Sequence, residues 1–248
     1  MKSVIIIPSR MASKRFPNKP MAEIHGIPMI ERVWRQAINS EIGDVFVACC
    51  EKVVFDLISS KGGKAIMTDP NLPSGTDRIF EAFSSLDNKN DYESVINLQG
   101  DMPLIDPTIL KMVNFPLKNG YEIGTLATDI FNQEGNENIT KVSINWEKSD
   151  LIGNSIDFYK KTRIRSENRY QNIFQHVGIY SFKPTALQKF VSLGPSKNEI
   201  ESKLEQLRAL DAGIKIGITY VENVPISVDT IEDLMFIENI IQNKNERN

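Results

Sequence analysis

Short β-branched runs alternate with amphipathic stretches through the first hundred residues, and that order leaves few folds open. Residues 4–7 read as a strand and 28–40 as a helix; 44–48 and 52–60 repeat the pair. A strand at 64–67, a helix at about 76–86 and a strand at 94–98 continue it. Asp106-Pro107 opens a further helix, with Asp at the N-cap and Pro at the first helical position. Parallel neighbours need crossover helices, so this order predicts an α/β fold: a doubly wound, mostly parallel, Rossmann-like sheet covered on both faces.

The middle of the chain breaks the pattern. Segments 122–130, 140–146 and 176–182 read as strands, with a polar stretch at 132–138 and a basic, polar, mobile loop at 160–175. Helices follow at about 184–192 and 199–211, then a strand at 215–221. Thr230-Ile231-Glu232-Asp233 resembles a capping box for a last helix. No repeat or linker interrupts the chain, so 1–248 reads as one domain with an inserted β-rich subregion at about 122–175.

The first strand runs into segment 8–20, which carries Arg10, Lys14, Arg15 and Lys19. The end of a strand is where α/β sheets bind ligands. Pro8, Pro17 and Pro20 stiffen the loop, so less ordering entropy is lost when an anion arrives. Several cations spread over several residues suit a polyphosphate. Charge alone leaves a solvated basic loop open as the alternative. The whole chain has a net charge of −3, which argues against nucleic acid or a membrane surface and favours a small anionic ligand.

Composition narrows the chemistry further. The only cysteines, Cys49 and Cys50, are adjacent, which excludes a disulfide framework and suits small apolar thiols at a strand end. Two histidines, His25 and His176, exclude a His-rich metal site. Any metal is then a hard cation held by oxygen, such as Mg²⁺. No stretch approaches the ~18 apolar residues of a membrane span, and the N-terminal run is too short for a signal peptide, so a cytoplasmic protein is expected. The dinucleotide fingerprint, the P-loop and the nucleophile elbow do not occur.

Three further motifs sit where such a sheet would bind a ligand. Gln99-Gly100-Asp101 follows a buried strand; Gly100 allows close approach, and Asp101 is placed to hold Mg²⁺ bridged to phosphate. A simple turn is the alternative there. Ser74-Gly75-Thr76-Asp77-Arg78 opens a helix whose N–H groups and hydroxyls could meet a ribose or base, or could only cap the helix. Asp229, between an apolar strand and a helix start, is a candidate second Mg²⁺ ligand or a residue favouring the helix dipole.

In this order, with His176-Val177-Gly178-Ile179-Tyr180, Leu204-Glu205-Gln206-Leu207-Arg208 and Ser227-Val228-Asp229-Thr230, the motifs resemble the nucleotidyltransferases that activate 3-deoxy sugar acids with CTP. The likeness is to the 3-deoxy-manno-octulosonate (Kdo) cytidylyltransferase family and runs over nearly the whole chain. It implies transfer of CMP from CTP to Kdo with release of pyrophosphate, for lipopolysaccharide biosynthesis. It implies that Arg10, Arg15 and Lys19 hold the triphosphate and that Gln99 and residues 74–78 lie near ribose and base. It further implies Mg²⁺ on Asp101 and Asp229, with Arg10, Lys19 and both carboxylates as the catalytic set. His176, Tyr180, Glu205 and Gln206 fall where the family contacts the sugar acid, and a homodimer is implied, with 122–170 able to supply the contact.

Two segments depart from the family pattern. Ala48-Cys49-Cys50 replaces an Ala-Thr-Asp, and Tyr159-Lys160 replaces a Ser-Arg pair within 157–165. Lysine keeps the charge but loses the bidentate fork. The identity of the sugar acid is therefore less constrained than the use of CTP. Open alternatives are a different ulosonic acid (amino-Kdo or sialic-acid-like), a UTP or GTP sugar pyrophosphorylase, and a catalytically silent nucleotide-binding module.

Overall fold

The computed structural model describes residues 1–12, 15–146, 151–161 and 173–245. In chain order the strands and helices are β1 (Ser3–Ser9), β2 (Glu23–Ile24), β3 (Ile27–Pro28), α1 (Met29–Asn39), β4 (Gly43–Cys49), α2 (Lys52–Ser60), β5 (Lys64–Met67), α3 (Gly75–Ser84) and β6 (Ser94–Asn97). Then come α4 (Pro107–Met112), α5 (Phe115–Lys118), β7 (Ile123–Thr128), β8 (Lys141–Trp146), β9 (Ile152–Tyr159) and β10 (Ile173–Phe182). The chain closes with α6 (Pro184–Ser192), α7 (Lys197–Ser202), α8 (Leu207–Asp211), β11 (Ile216–Tyr220) and α9 (Ile231–Asn245).

The sequence predicts one domain with an insertion at about 122–175; in the structure the chain groups into two compact units. The first holds 1–92, 97–110 and 225–248, the second 93–96 and 111–224. The second is wider than the expected insertion because strand pairing reaches past 175: β11 pairs with β7 and with β9.

In the first unit β1 pairs in parallel with β4, from Ser3↔Gly43 to Ser9↔Cys49, and β4 pairs in parallel with β5. Val4, Ile5, Ile6 and Ile7 are fully buried, as expected of a parallel strand covered on both faces. α1 buries Met29, Ile30, Val33 and Ala37 along one stripe, the period that made it readable in sequence. A second apolar cluster joins Ile24, Met29, Val228 and Ile237, and Phe16 packs against it. An aromatic ring in the middle of the cationic loop thus anchors that loop to the unit's core.

The second unit is mixed rather than mostly parallel. β7 pairs in parallel with β11 but antiparallel with β10; β9 is antiparallel to both β11 and β8. β10 also pairs with β8, which closes a circuit of five strands. β9 is not legible in the sequence because Gly153, Asn154 and Ser155, poor strand formers, occupy its first half. The helix expected at 199–211 is two helices, broken where Lys203 adopts a left-handed φ of 55°. Of the loop expected at 160–175, residues 162–172 lie outside the described residues, while Ile173–Gln175 belong to β10. No described helix is long and apolar enough to cross a membrane.

Candidate active site

A cleft of about 800 Å³ lies in the first unit at the carboxyl end of β1. Arg10, Arg15, Lys19, Ser74, Gly75, Arg78, Gln99, Gly100, Asp101 and Asp229 all line it, with Pro8 and Ser9. Four separate segments supply these groups, and the fold explains their meeting. β1 delivers Arg10 directly. Leu98 donates its N–H to the Ile6 carbonyl, which lays residues 99–101 alongside the end of β1. The Val228 N–H donates to the Asp101 carbonyl at 2.8 Å, and that bond brings Asp229 beside Asp101.

The carboxylates and cations are already paired. Lys19 Nζ donates to Asp101 Oδ2 at 2.7 Å and to the Val228 carbonyl at 2.9 Å, and lies 3.5 Å from Asp229 Oδ1. Arg15 donates to Asp229 Oδ1 at 2.9 Å. Asp233 caps α9 by accepting from the N–H groups of Asp229 and Thr230, each at 2.9 Å. Burial opposes the charge of Asp233, but those donors, with Arg15 nearby, hold its pKa below the ordinary value. The capping box read in the sequence thereby fixes the backbone that presents Asp229.

α3 begins at Gly75. The Ser74 hydroxyl accepts from the Asp77 N–H at 3.1 Å and donates to the Asp77 carboxylate at 2.6 Å. The Gly75 face of this N-terminus meets the cleft, a position that favours an anion or a polar ligand group. Thr76 does not line the cleft: it is buried and accepts from Asn97 Nδ2 at 3.4 Å. Arg78 is 2% exposed, held by a hydrogen bond to the Thr68 hydroxyl, yet still reaches the cleft wall.

A sequence model described as "Cytidylyltransferase" matches residues 4–216. The chain belongs to the cytidylyltransferase family. Among curated relatives, the 3-deoxy-manno-octulosonate cytidylyltransferase of Paramagnetospirillum magneticum is 41% identical over 93% of this chain and 94% of its own. That of Rhizobium johnstonii is 40% identical over 97% and 96%. A solved structure of CMP:2-keto-3-deoxy-manno-octonic acid synthetase complexed with CTP superposes with a TM-score of 0.89 at 30% identity, covering 98% of this chain and all of that one.

In this cytidylyltransferase the residues assigned to the sugar acid lie in the second unit. His176 stands between Phe158 and Tyr180, with ring centroids 5.1 and 5.4 Å away, and a ring nitrogen lies 3.0 Å from the Thr125 hydroxyl. The residue keeps some solvent exposure, but these neighbours enclose its ring, and burial pushes the imidazole down to about 3. Burial and the nearby Glu205 raise the Tyr180 phenol well above its usual value. His176, Tyr180 and Glu205 therefore form one cluster. Gln206 is buried at the start of α8.

Because the folded pKa of His176 is depressed, the unfolded chain binds the extra proton between pH 3 and about 6.5. Stability should rise with pH through that window and level off above it. Chemical denaturation across pH 4–8 on wild type and His176→Gln checks this; the variant should show a shallower slope, and an unchanged slope counts against an enclosed neutral ring.

Nothing around the cysteines of this cytidylyltransferase favours their thiolates overall. Burial pushes the Cys49 thiol up to about 12, and burial with neighbouring Glu51 raises Cys50. Gly100 has a steric role. A Cβ there would stand 3.0 Å from the Pro8 carbonyl oxygen and 3.3 Å from Ile30 Cδ1. Gly100→Ala should cost about 1–3 kcal/mol of stability by overpacking and weaken CTP binding. Thermal melts with and without CTP read both effects. Sequence reasoning missed the Val228 carbonyl, which accepts from Lys19, since a backbone oxygen leaves no local signature.

Proposed function

We propose that the protein transfers CMP from CTP to 3-deoxy-manno-octulosonate, releasing pyrophosphate. The observation that carries this reading is the convergence of Arg10, Arg15, Lys19, Asp101 and Asp229 on one cleft. The relatives' names and the CTP-bound neighbour support the choice of nucleotide and acceptor. The anomeric hydroxyl of the sugar acid attacks the α-phosphorus in line. A C–O–P bond forms, the bond between the α- and β-phosphates breaks, and the hydroxyl proton leaves to solvent. Such chemistry depends on positioning and charge neutralisation. Arg10 and Arg15 offset charge on the triphosphate and on the departing pyrophosphate, and Lys19 moves from its carboxylate partners to the phosphates. The N-terminus of α3, with Gln99, orients the nucleoside.

A divalent cation belongs with this reading. Asp101 Oδ2, the Val228 carbonyl and Asp229 Oδ1 already surround one cationic nitrogen, an oxygen donor set that fits Mg²⁺. Among the described residues no three His, Cys, Asp or Glu side chains cluster to hold a metal by themselves, so phosphate oxygens would complete the shell. Bound there, Mg²⁺ would supply neutralising charge and acidify a coordinated hydroxyl. Association as a homodimer is part of the same reading, and sedimentation tests it. The deciding experiment is pyrophosphate release with CTP, Mg²⁺ and Kdo, set against amino-Kdo and a sialic acid. No release with Kdo, or faster release with another acceptor, would reject the assignment.

A further inference from the structure

We propose that Glu51 is a positioning residue for the nucleotide, acting through the backbone of Met11 at the base of the cationic loop. This rests on the nucleotide-binding reading of the cleft. The parallel ladder of β1 and β4 ends at Ser9↔Cys49. Past that rung the strands separate: Arg10 turns to the cleft, and Glu51 precedes the first residue of α2. A polar side chain before a helix ordinarily accepts from that helix's own first N–H groups. Glu51 makes no such cap bond. Its Oε1 instead accepts the Met11 N–H at 2.9 Å and so extends the pairing of β1 with β4 by one side-chain rung.

The Met11 carbonyl in turn accepts the Asn18 N–H at 3.1 Å, which closes the loop. Asn18 holds a left-handed φ of 59°, and the next residue is Lys19. Both polar groups of Met11 are thereby fixed, with Arg10 directly before them and Arg15 and Lys19 within or just beyond the closed loop. Phe16 ties the far side of the loop to the core, and Glu51 ties its base. A charged acceptor makes a stronger bond than a neutral one. Cations held before the ligand arrives bind it with less ordering cost.

The test compares wild type, Glu51→Ala and Glu51→Gln by amide exchange at Met11, equilibrium dialysis with CTP, and steady-state kinetics. In Glu51→Ala the Met11 amide should exchange faster, and the KM for CTP should rise about tenfold while the KM for the sugar acid stays within about twofold. Glu51→Gln keeps an acceptor oxygen and should return the CTP value to within about threefold of wild type. The proposal is overturned if wild type and Glu51→Ala bind CTP alike, if glutamine gives no rescue, or if both KM values and the melting temperature move together. Wild-type protein that binds no CTP instead overturns the reading of the cleft, a distinct result.

Discussion

Asp101→Ala is expected to lower pyrophosphate release by about three orders of magnitude, the scale of several kcal/mol of lost charge stabilisation at a phosphoryl group. The fold should survive. Asp101 is 24% exposed, so its pair with Lys19 is partly screened by solvent. Lys19 also keeps the Val228 carbonyl and Asp229 as partners. A melting temperature within a few degrees of wild type is therefore expected alongside the lost turnover. Asp101→Asn sharpens the result: it preserves shape and one acceptor but removes the charge, and should be nearly as slow. Turnover near the wild-type rate in either variant would remove Asp101 from the chemistry and with it the oxygen set proposed for Mg²⁺.

Glu199→Ala should produce the largest loss of stability. Arg208 Nε and Nη2 donate to the two Glu199 oxygens at 2.8 and 2.6 Å, and the guanidinium lies 4.9 Å from the Phe190 ring centroid. The side chains are only 8% and 13% exposed. Removing the acid leaves a buried cation without its counter-charge, at a cost of about 3–5 kcal/mol. At roughly 2–4 °C per kcal/mol for a chain of this length, the melting temperature should fall by about ten degrees. The double variant Glu199→Met with Arg208→Met should recover much of the loss, since no unpaired charge remains. A single variant as stable as wild type would mean that Arg208 is solvated and the pair contributes little. In the motif Leu204-Glu205-Gln206-Leu207-Arg208, Arg208 is thus a structural clasp between α7 and α8, while Glu205 faces Tyr180.

The parts legible in the sequence share one property: their cause is local. The apolar run of β1, the stripe of α1, the Ser74 and Asp233 caps and the stiff loop at 8–20 follow from neighbouring residues, so their places near a ligand-binding strand end could be read directly. β9 could not be read, because its Gly-Asn-Ser first half extends only between partners supplied by β8 and β11. The break at Lys203 could not be read either, because it serves a bond between Glu199 and Arg208.

By itself, then, the amino-acid order settled the parallel α/β start and named most of the groups at the cleft, since side-chain chemistry and short-range periodicity travel with the chain. Tertiary structure alone decided that Asp101 and Asp229 share Lys19, that Thr76 turns inward, and that Glu51 holds Met11. Each of those outcomes depends on hydrogen bonds between residues tens to hundreds of positions apart, and no local pattern encodes them.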